Sequence, residues 1–189
     1  MRSLYFPMAY GRHAVAGSIA AITVRRSAGD PTRGILVFDG QPIPVALGRG
    51  GLKANKREGD GGTPIGTFRP LRLWWRKDRY ARPRTLLPVR AIRPSDGWCE
   101  DPANRRYNQP VRLAAASNAD RLMRADHLYD FIVEIDHNTR PRVAGRGSAV
   151  FLHLARPGFA PTAGCIAMTR GSMLRLLARL NRRTRIVVG

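Results

Sequence analysis

The spacing of apolar residues constrains this chain more than any other feature. Short apolar runs at strand period recur from residue 21 to residue 188, cut apart by glycine and proline, and a 3.6-residue repeat occurs once, near the C-terminus. Residues 21–24, 35–38, 43–47, 129–135, 149–154 and 186–188 read as strands. Asp39 and Gly40 separate the second and third runs, and Asp-Gly between apolar segments signals a two-residue hairpin. Segments 68–74 and 85–89 are strand-like but carry Pro70 and Pro88, which cannot donate to a ladder. Alternation over 129–135 predicts a half-buried strand, and the continuous run at 149–154 a buried one. Met173, Leu174, Leu176, Leu177 and Leu180 share one helical face after Ser172, the expected N-cap. Residues 114–128 have room for a short helix, and 96–110 read as loop. The glycine-rich stretch 48–62 reads as a mobile surface loop. It lacks the Gly-Lys-Ser/Thr ending of a phosphate-binding loop and leads towards a strand, not a helix.

These signals predict a mainly β fold, a β-rich sandwich or barrel-like domain over residues 21–189 with a few short helices, one of them near the C-terminus. Residues 1–20 read as an N-terminal arm or an atypical leader. Arg2 and Arg12 precede an apolar stretch, but Pro7 and His13 interrupt the region, and no convincing export signal results.

Composition removes several function classes. Two cysteines are too few for a disulfide scaffold or a zinc ribbon. No apolar run reaches the roughly 18 residues of a transmembrane helix. The net charge of +20 comes from 33 basic residues, of which Lys53, Lys56 and Lys77 are the lysines. Such a surface attracts polyanions. There is no helix-turn-helix, stacking platform or zinc finger, so specific nucleic-acid recognition is not expected. An anionic substrate, an anionic cell-wall surface, or a basic non-enzymatic module for wall polymer or nucleic acid all fit the charge.

His13, His127 and His137 lack metal-ligand spacing, and neither His-Glu-x-x-His nor Cys-x-x-Cys occurs, so no metal is expected. His153, at the end of a strand, and Cys165, in Thr162-Ala163-Gly164-Cys165-Ile166, form a different pattern. A thiol needs a base to act as a nucleophile, and an imidazole at a neighbouring strand end supplies one. Gly164 lets the backbone approach a substrate and leaves amides available for an oxyanion. The pair fits a buried structural thiol and a satisfied core histidine as well.

The same residues resemble the signature of the L,D-transpeptidase catalytic domain (the YkuD-like family): a strand-borne His followed by Ser/Thr-x-Gly-Cys-Ile/Val-x-Met/Leu, matched by Thr162, Gly164, Cys165, Ile166 and Met168. Thr63-Pro64-Ile65-Gly66-Thr67-Phe68 is similar to a second family motif. Asp96-Gly97-Trp98-Cys99-Glu100-Asp101, Tyr107-Asn108 and Gly147-Ser148 extend the likeness over about residues 20–188. The resemblance implies a periplasmic or cell-envelope enzyme that joins donor and acceptor stem peptides of peptidoglycan, without metal or cofactor. Cys165 would attack the carbonyl between the third and fourth stem residues, and His153, titrating near neutrality, would move the proton. Gly164 and Thr162 would serve the oxyanion and substrate, and Trp98 and Tyr107 the groove. Ala163 and Ala167 depart from the His or Ser and the Arg that the family often has there, so Arg156 or Arg170 would take over a substrate carboxylate. An L,D-carboxypeptidase or amidase on the same scaffold is the alternative, as is a linkage other than third-to-third. Cys99 is either free or paired with Cys165.

Overall fold

A computed structural model describes residues 17–114 and 119–189. The larger part of residues 1–20 lies outside them. In chain order the described strands are β1 (Ala21–Ser27), β2 (Asp30–Phe38), β3 (Gln41–Ala46), β4 (Leu52–Lys53), β5 (Thr63–Pro64), β6 (Gly66–Phe68), β7 (Pro70–Trp75) and β8 (Val89–Ala91). They continue with β9 (Asp96–Cys99), β10 (Gln109–Arg112), β11 (Asp120–Arg121), β12 (Phe131–Ile135), β13 (Phe151–Leu154), β14 (Ile166–Met168) and β15 (Arg185–Val188). A 3-10 turn spans Pro157–Phe159, and helix α1 spans Arg170–Leu177. The mainly β expectation, with a helix near the C-terminus, holds.

Ten strands form one mixed sheet in the order β6-β15-β1-β2-β3-β14-β13-β12-β7-β8. Consecutive strands β6 and β7 have Arg69 alone between them, yet β6 stands at one end of this order and β7 next to the other end. The sheet therefore curls until its two ends meet. Inside the curl lies a core drawn from nearly every strand, including Ile22, Leu36, Val45, Leu73, Val133 and Leu152, completed by Met173, Leu176 and Leu177 of α1. The β2–β3 hairpin turns on Asp39 (φ 49°) and Gly40 (φ 71°), the pair of left-handed residues that a type I′ turn needs.

Alternation splits β13 and β14 cleanly. Leu152, Leu154, Ile166 and Met168 point into the main core. Phe151 and Cys165 join a second apolar cluster on the other face, with Trp74, Trp98 and Ile132. A small antiparallel sheet, β10-β9-β11, covers that face, with the Trp98 ring edge-on to Phe151 at 4.9 Å.

Several local expectations are corrected. Residues 96–110 contain β9 and the start of β10, because the small sheet pairs segments whose polar sequence hides their strand character. Within 114–128 the described residues hold β11 rather than a helix; 115–118 lie outside the description. Strand 129–135 is buried along all of β12, since cover on both faces overrides alternation. The cap of α1 is Thr169, whose Oγ1 accepts from Ser172 N at 3.3 Å; Ser172 lies inside the helix. The strand expected at 85–89 begins only at Val89.

Leu152→Ala should cost about 2–5 kcal/mol, the usual range for a fully buried leucine in a central strand, read as a lower urea midpoint at unchanged slope. A loss below about 0.5 kcal/mol would contradict the placement of Leu152 in the core.

Candidate active site

Strands β13 and β14 are parallel neighbours, with His153 opposite Ala167. Cys165 precedes Ala167 by two residues, so its side chain leaves the sheet on the same face as His153. Residues 155–165 make the return between the two strands. Thr162 pins this segment to the end of β3: its N–H donates to Leu47 O and its carbonyl accepts from Arg49 N, both at 2.9 Å. Within the turn, Thr162 Oγ1 donates to Cys165 O at 2.7 Å and accepts from Gly164 N at 3.0 Å.

The 48–62 stretch is at the surface over Lys53, Ala54, Asn55 and Arg57, as expected, but Gly48, Gly61 and Gly62 are buried against this turn. Gly164 has φ +139°, and a Cβ there would stand 2.7 Å from Gly62 O; a Cβ on Gly48 would stand 2.1 Å from Gly61 O. Glycine is required at both positions because backbone meets backbone. Asp60 ties the stretch together, its Oδ1 accepting from Lys56 Nζ (2.6 Å) and Gly62 N (2.8 Å) and its Oδ2 from Arg57 N (2.8 Å). Lys56 itself is buried.

Cys165 is 7% exposed. Its Sγ donates to Ala149 O at 3.1 Å and accepts from Phe151 N at 3.3 Å. Burial pushes this thiol up to about 12, and the acids Asp120 and Glu100 add to the rise. His153 Nδ1 bonds to Leu154 O at 2.8 Å. A carbonyl only accepts, so the proton sits on Nδ1 and Nε2 keeps its lone pair. Burial lowers His153 to about 4, which corrects the expectation of titration near neutrality. At neutral pH the pair therefore rests as thiol and neutral imidazole, and Tyr129 lies edge-on to the imidazole at 5.4 Å.

Both groups line one cavity of about 480 Å³. Glu58, Glu100 and Asp120 bring negative charge to its wall, and Arg49, Arg124 and Arg156 bring positive charge. Burial, then repulsion from Asp120 and Glu58, raises Glu100 to about 7. Asp120 is also raised by burial, while its Oδ2 accepts from the Tyr129 hydroxyl at 3.1 Å.

Of the residues singled out in the sequence, Cys165, His153, Thr162, Gly164 and Arg156 meet in this cavity. Arg170 does not line it; it begins α1 and donates to the Tyr80 hydroxyl at 3.1 Å. Trp98 is buried, its indole N–H donating to Asn108 Oδ1 at 3.0 Å. Tyr107 is buried too, and its hydroxyl donates to Glu58, which places it behind the cavity wall rather than in it. Cys99 and Cys165 are both free thiols. Glu58, Asp120, Arg124 and Tyr129 escaped sequence reasoning. Glu58 sits in a stretch read as a mobile surface loop, and the others follow no motif, so the fold alone brings them to Cys165. No helix among the described residues is long and apolar enough to cross a membrane.

Residues 23–188 match the YkuD family, the L,D-transpeptidase catalytic domain, and the chain belongs to that family. No curated protein gives a significant match. Among solved structures, an L,D-transpeptidase from Mycobacterium tuberculosis H37Rv is similar at 12% identity, over 90% of this chain and 58% of that one, with a TM-score of 0.40. L,D-transpeptidase 3 from Mycobacterium tuberculosis is similar at 14% identity, over 89% of this chain and 60% of that one, with a TM-score of 0.39. The same protein in complex with a faropenem-derived adduct gives 13%, 88%, 59% and 0.37. This chain thus spans less than two thirds of the length of each of these proteins.

Gly164→Ala should cost about 1–3 kcal/mol in a urea titration, because the new Cβ meets Gly62 O in a backbone region that L-residues rarely adopt. Gly171→Ala, where a Cβ meets nothing within 4 Å, should be neutral or stabilising. Equal effects of the two changes would contradict the close approach at Gly164.

Proposed function

We propose that the chain is a cysteine L,D-transpeptidase acting on donor and acceptor stem peptides of peptidoglycan in the periplasm or cell envelope. The observation that carries this reading is the placement of Cys165 and His153 on one face of adjacent parallel strands, at one cavity, in a chain of this family. The Cys165 Sγ–H gives its proton to His153 Nε2 as sulfur bonds to the donor carbonyl carbon. Collapse of the tetrahedral intermediate breaks the C–N bond, and His153 returns the proton to the leaving amine. The acceptor amine then attacks the thioester carbonyl, loses a proton through His153, and the C–S bond breaks to regenerate the thiol. We assign the oxyanion to the amide of Cys165; the Gly164 N–H is given to Thr162 Oγ1, which fixes the turn that carries that amide. Arg156, at the cavity, is suited to a substrate carboxylate.

Because both groups start neutral, no thiolate stands ready before substrate arrives. Burial, which suppresses the thiolate, also makes His153 a weak base, so proton transfer has to accompany attack on bound substrate.

Cys165→Ala should abolish consumption of defined disaccharide-peptides and covalent labelling by a penem, while circular dichroism keeps its wild-type shape and melting falls modestly through loss of the bonds to Ala149 O and Phe151 N. Mass spectrometry of the products separates the outcomes: cross-linked dimers support transpeptidation, and trimmed monomers alone would assign hydrolysis instead. Turnover by the folded variant would remove Cys165 from the mechanism and leave a binding module.

His153→Gln should slow acylation by about 10²–10⁴-fold. Wild-type acylation should show no step near 6.5, since His153 loses its role as base only as pH falls towards about 4. A modest decline as pH rises through about 7 should appear, because ionised Glu100 adds negative charge beside Cys165. Glu100→Gln should remove that decline. An acid limb near 6.5 that Glu100→Gln leaves in place would contradict the buried, neutral His153.

A further inference from the structure

On the sheet face that carries Cys165, a second cavity of about 660 Å³ opens beside the small β10-β9-β11 sheet. It shares no lining residue with the catalytic cavity. Between them stand Trp98 and Asn108, whose Oδ1 accepts from the Trp98 indole at 3.0 Å and from Ala149 N at 3.2 Å. Arg72, Arg106, Arg140, Arg142 and Arg182 line this groove. Arg72 is engaged with Glu134 at 3.0 Å, and Arg106 donates to Pro110 O at 3.0 Å. The guanidinium groups of Arg140, Arg142 and Arg182 form no ion pair or hydrogen bond among the described residues.

Of the two acids of the groove, Glu134 is paired with Arg72 and Asp136 keeps its charge, against five arginines. Glu134 also accepts from Trp74 Nε1 at 2.9 Å, and Asp136 Oδ1 accepts from Arg69 N at 2.7 Å. The turn carrying Arg140 and Arg142 is fixed from below: Asn108 Nδ2 donates to His137 O (3.1 Å) and Asn138 O (2.9 Å), and Asn138 Nδ2 to Val143 O (2.9 Å) and Gly147 O (3.0 Å). Three exposed guanidinium groups without a partner thus line one concave site, two of them carried on a turn that the Asn108 and Asn138 amides hold in place.

We propose that this groove binds a phosphate polyanion of the non-nucleic kind, a polyol phosphate or polyphosphate chain. Tetrahedral phosphate offers oxygens in more than one plane to guanidinium groups arriving from different sides, and a phosphate chain repeats that charge along the groove. Nucleic acid is disfavoured because the one aromatic side chain in the lining, Trp98, is buried with its N–H committed, which leaves no stacking surface.

The test is calorimetric titration of the full chain with poly(glycerol phosphate), inorganic polyphosphate, poly-glutamate and single-stranded DNA of matched charge, from about 50 to about 200 mM salt. Both phosphate polymers should bind more tightly than poly-glutamate and DNA, and the better of the two identifies the source of the phosphate. The triple variant R140Q/R142Q/R182Q should weaken phosphate-polymer binding at least about tenfold and lower the slope of log affinity against log salt by about two to three. The variant R25Q/R26Q/R175Q removes the same charge from exposed sites elsewhere and should change affinity less than about threefold. Melting curves check that both variants fold. Equal losses in the two triples, or poly-glutamate or DNA binding as tightly as the phosphate polymers, would overturn the proposal. Cys165→Ala should leave this binding intact, so the groove stands or falls apart from the catalytic reading.

Discussion

Because β13 and β14 run parallel as neighbours, the chain has to leave the far end of one and travel back to the start of the other, and the rest of the molecule accommodates that return. Parallel neighbours ordinarily take a helix for this crossover. Here residues 155–165 do it with a single 3-10 turn, tied to the end of β3 through Thr162. The short return is possible because the strands are short, and it leaves Cys165 at the mouth of β14 rather than within the ladder. The glycines of 48–62 exist in that light as clearance: any side chain at Gly48 or Gly164 would lift the return off the sheet and carry the thiol with it.

The same packing sets the electrostatics. A thiol and an imidazole with almost no solvent contact are both held in their uncharged forms, one by a raised and the other by a lowered affinity balance. Charge in the cavity is carried instead by its wall, where Glu58, Glu100 and Asp120 oppose Arg49, Arg124 and Arg156. Such a wall can order a ligand bearing both signs while the reacting pair stays neutral.

Much of the fold was legible in the sequence, and the reasons are local. The Asp39-Gly40 hairpin, the buried run ending at Leu154 and the apolar face of α1 each depend on neighbours within a few residues. What escaped depends on distant partners. Asp96–Cys99 reads as loop because it is polar and glycine-containing, and it becomes a strand only when Gln109–Arg112 and Asp120–Arg121 pair with it. For the candidate site, the Thr162–Met168 segment with His153 was visible as a motif. Tyr107 and Trp98 were visible too, but their burial behind the wall follows from the Asn108 and Glu58 hydrogen bonds. Asp120 and Arg124 left no trace in the sequence, since nothing near them marks a turn back towards Cys165.

Strand β15 sits between β6 and β1, pairing Ile186 with both Phe68 and Ile22. The first long strand of the fold thus waits for the last four-residue strand of the chain, across nearly its whole length. High contact order of this kind slows folding, because loop-closure entropy is lost before the contacts that offset it form. During synthesis β1 and β2 are made early with one flank of β1 unpaired, and closure of the curled sheet comes only when Arg185–Val188 is available. Closure of the sheet is therefore the step that joins residues furthest apart in the sequence, and it places the slowest contact of the fold at β15.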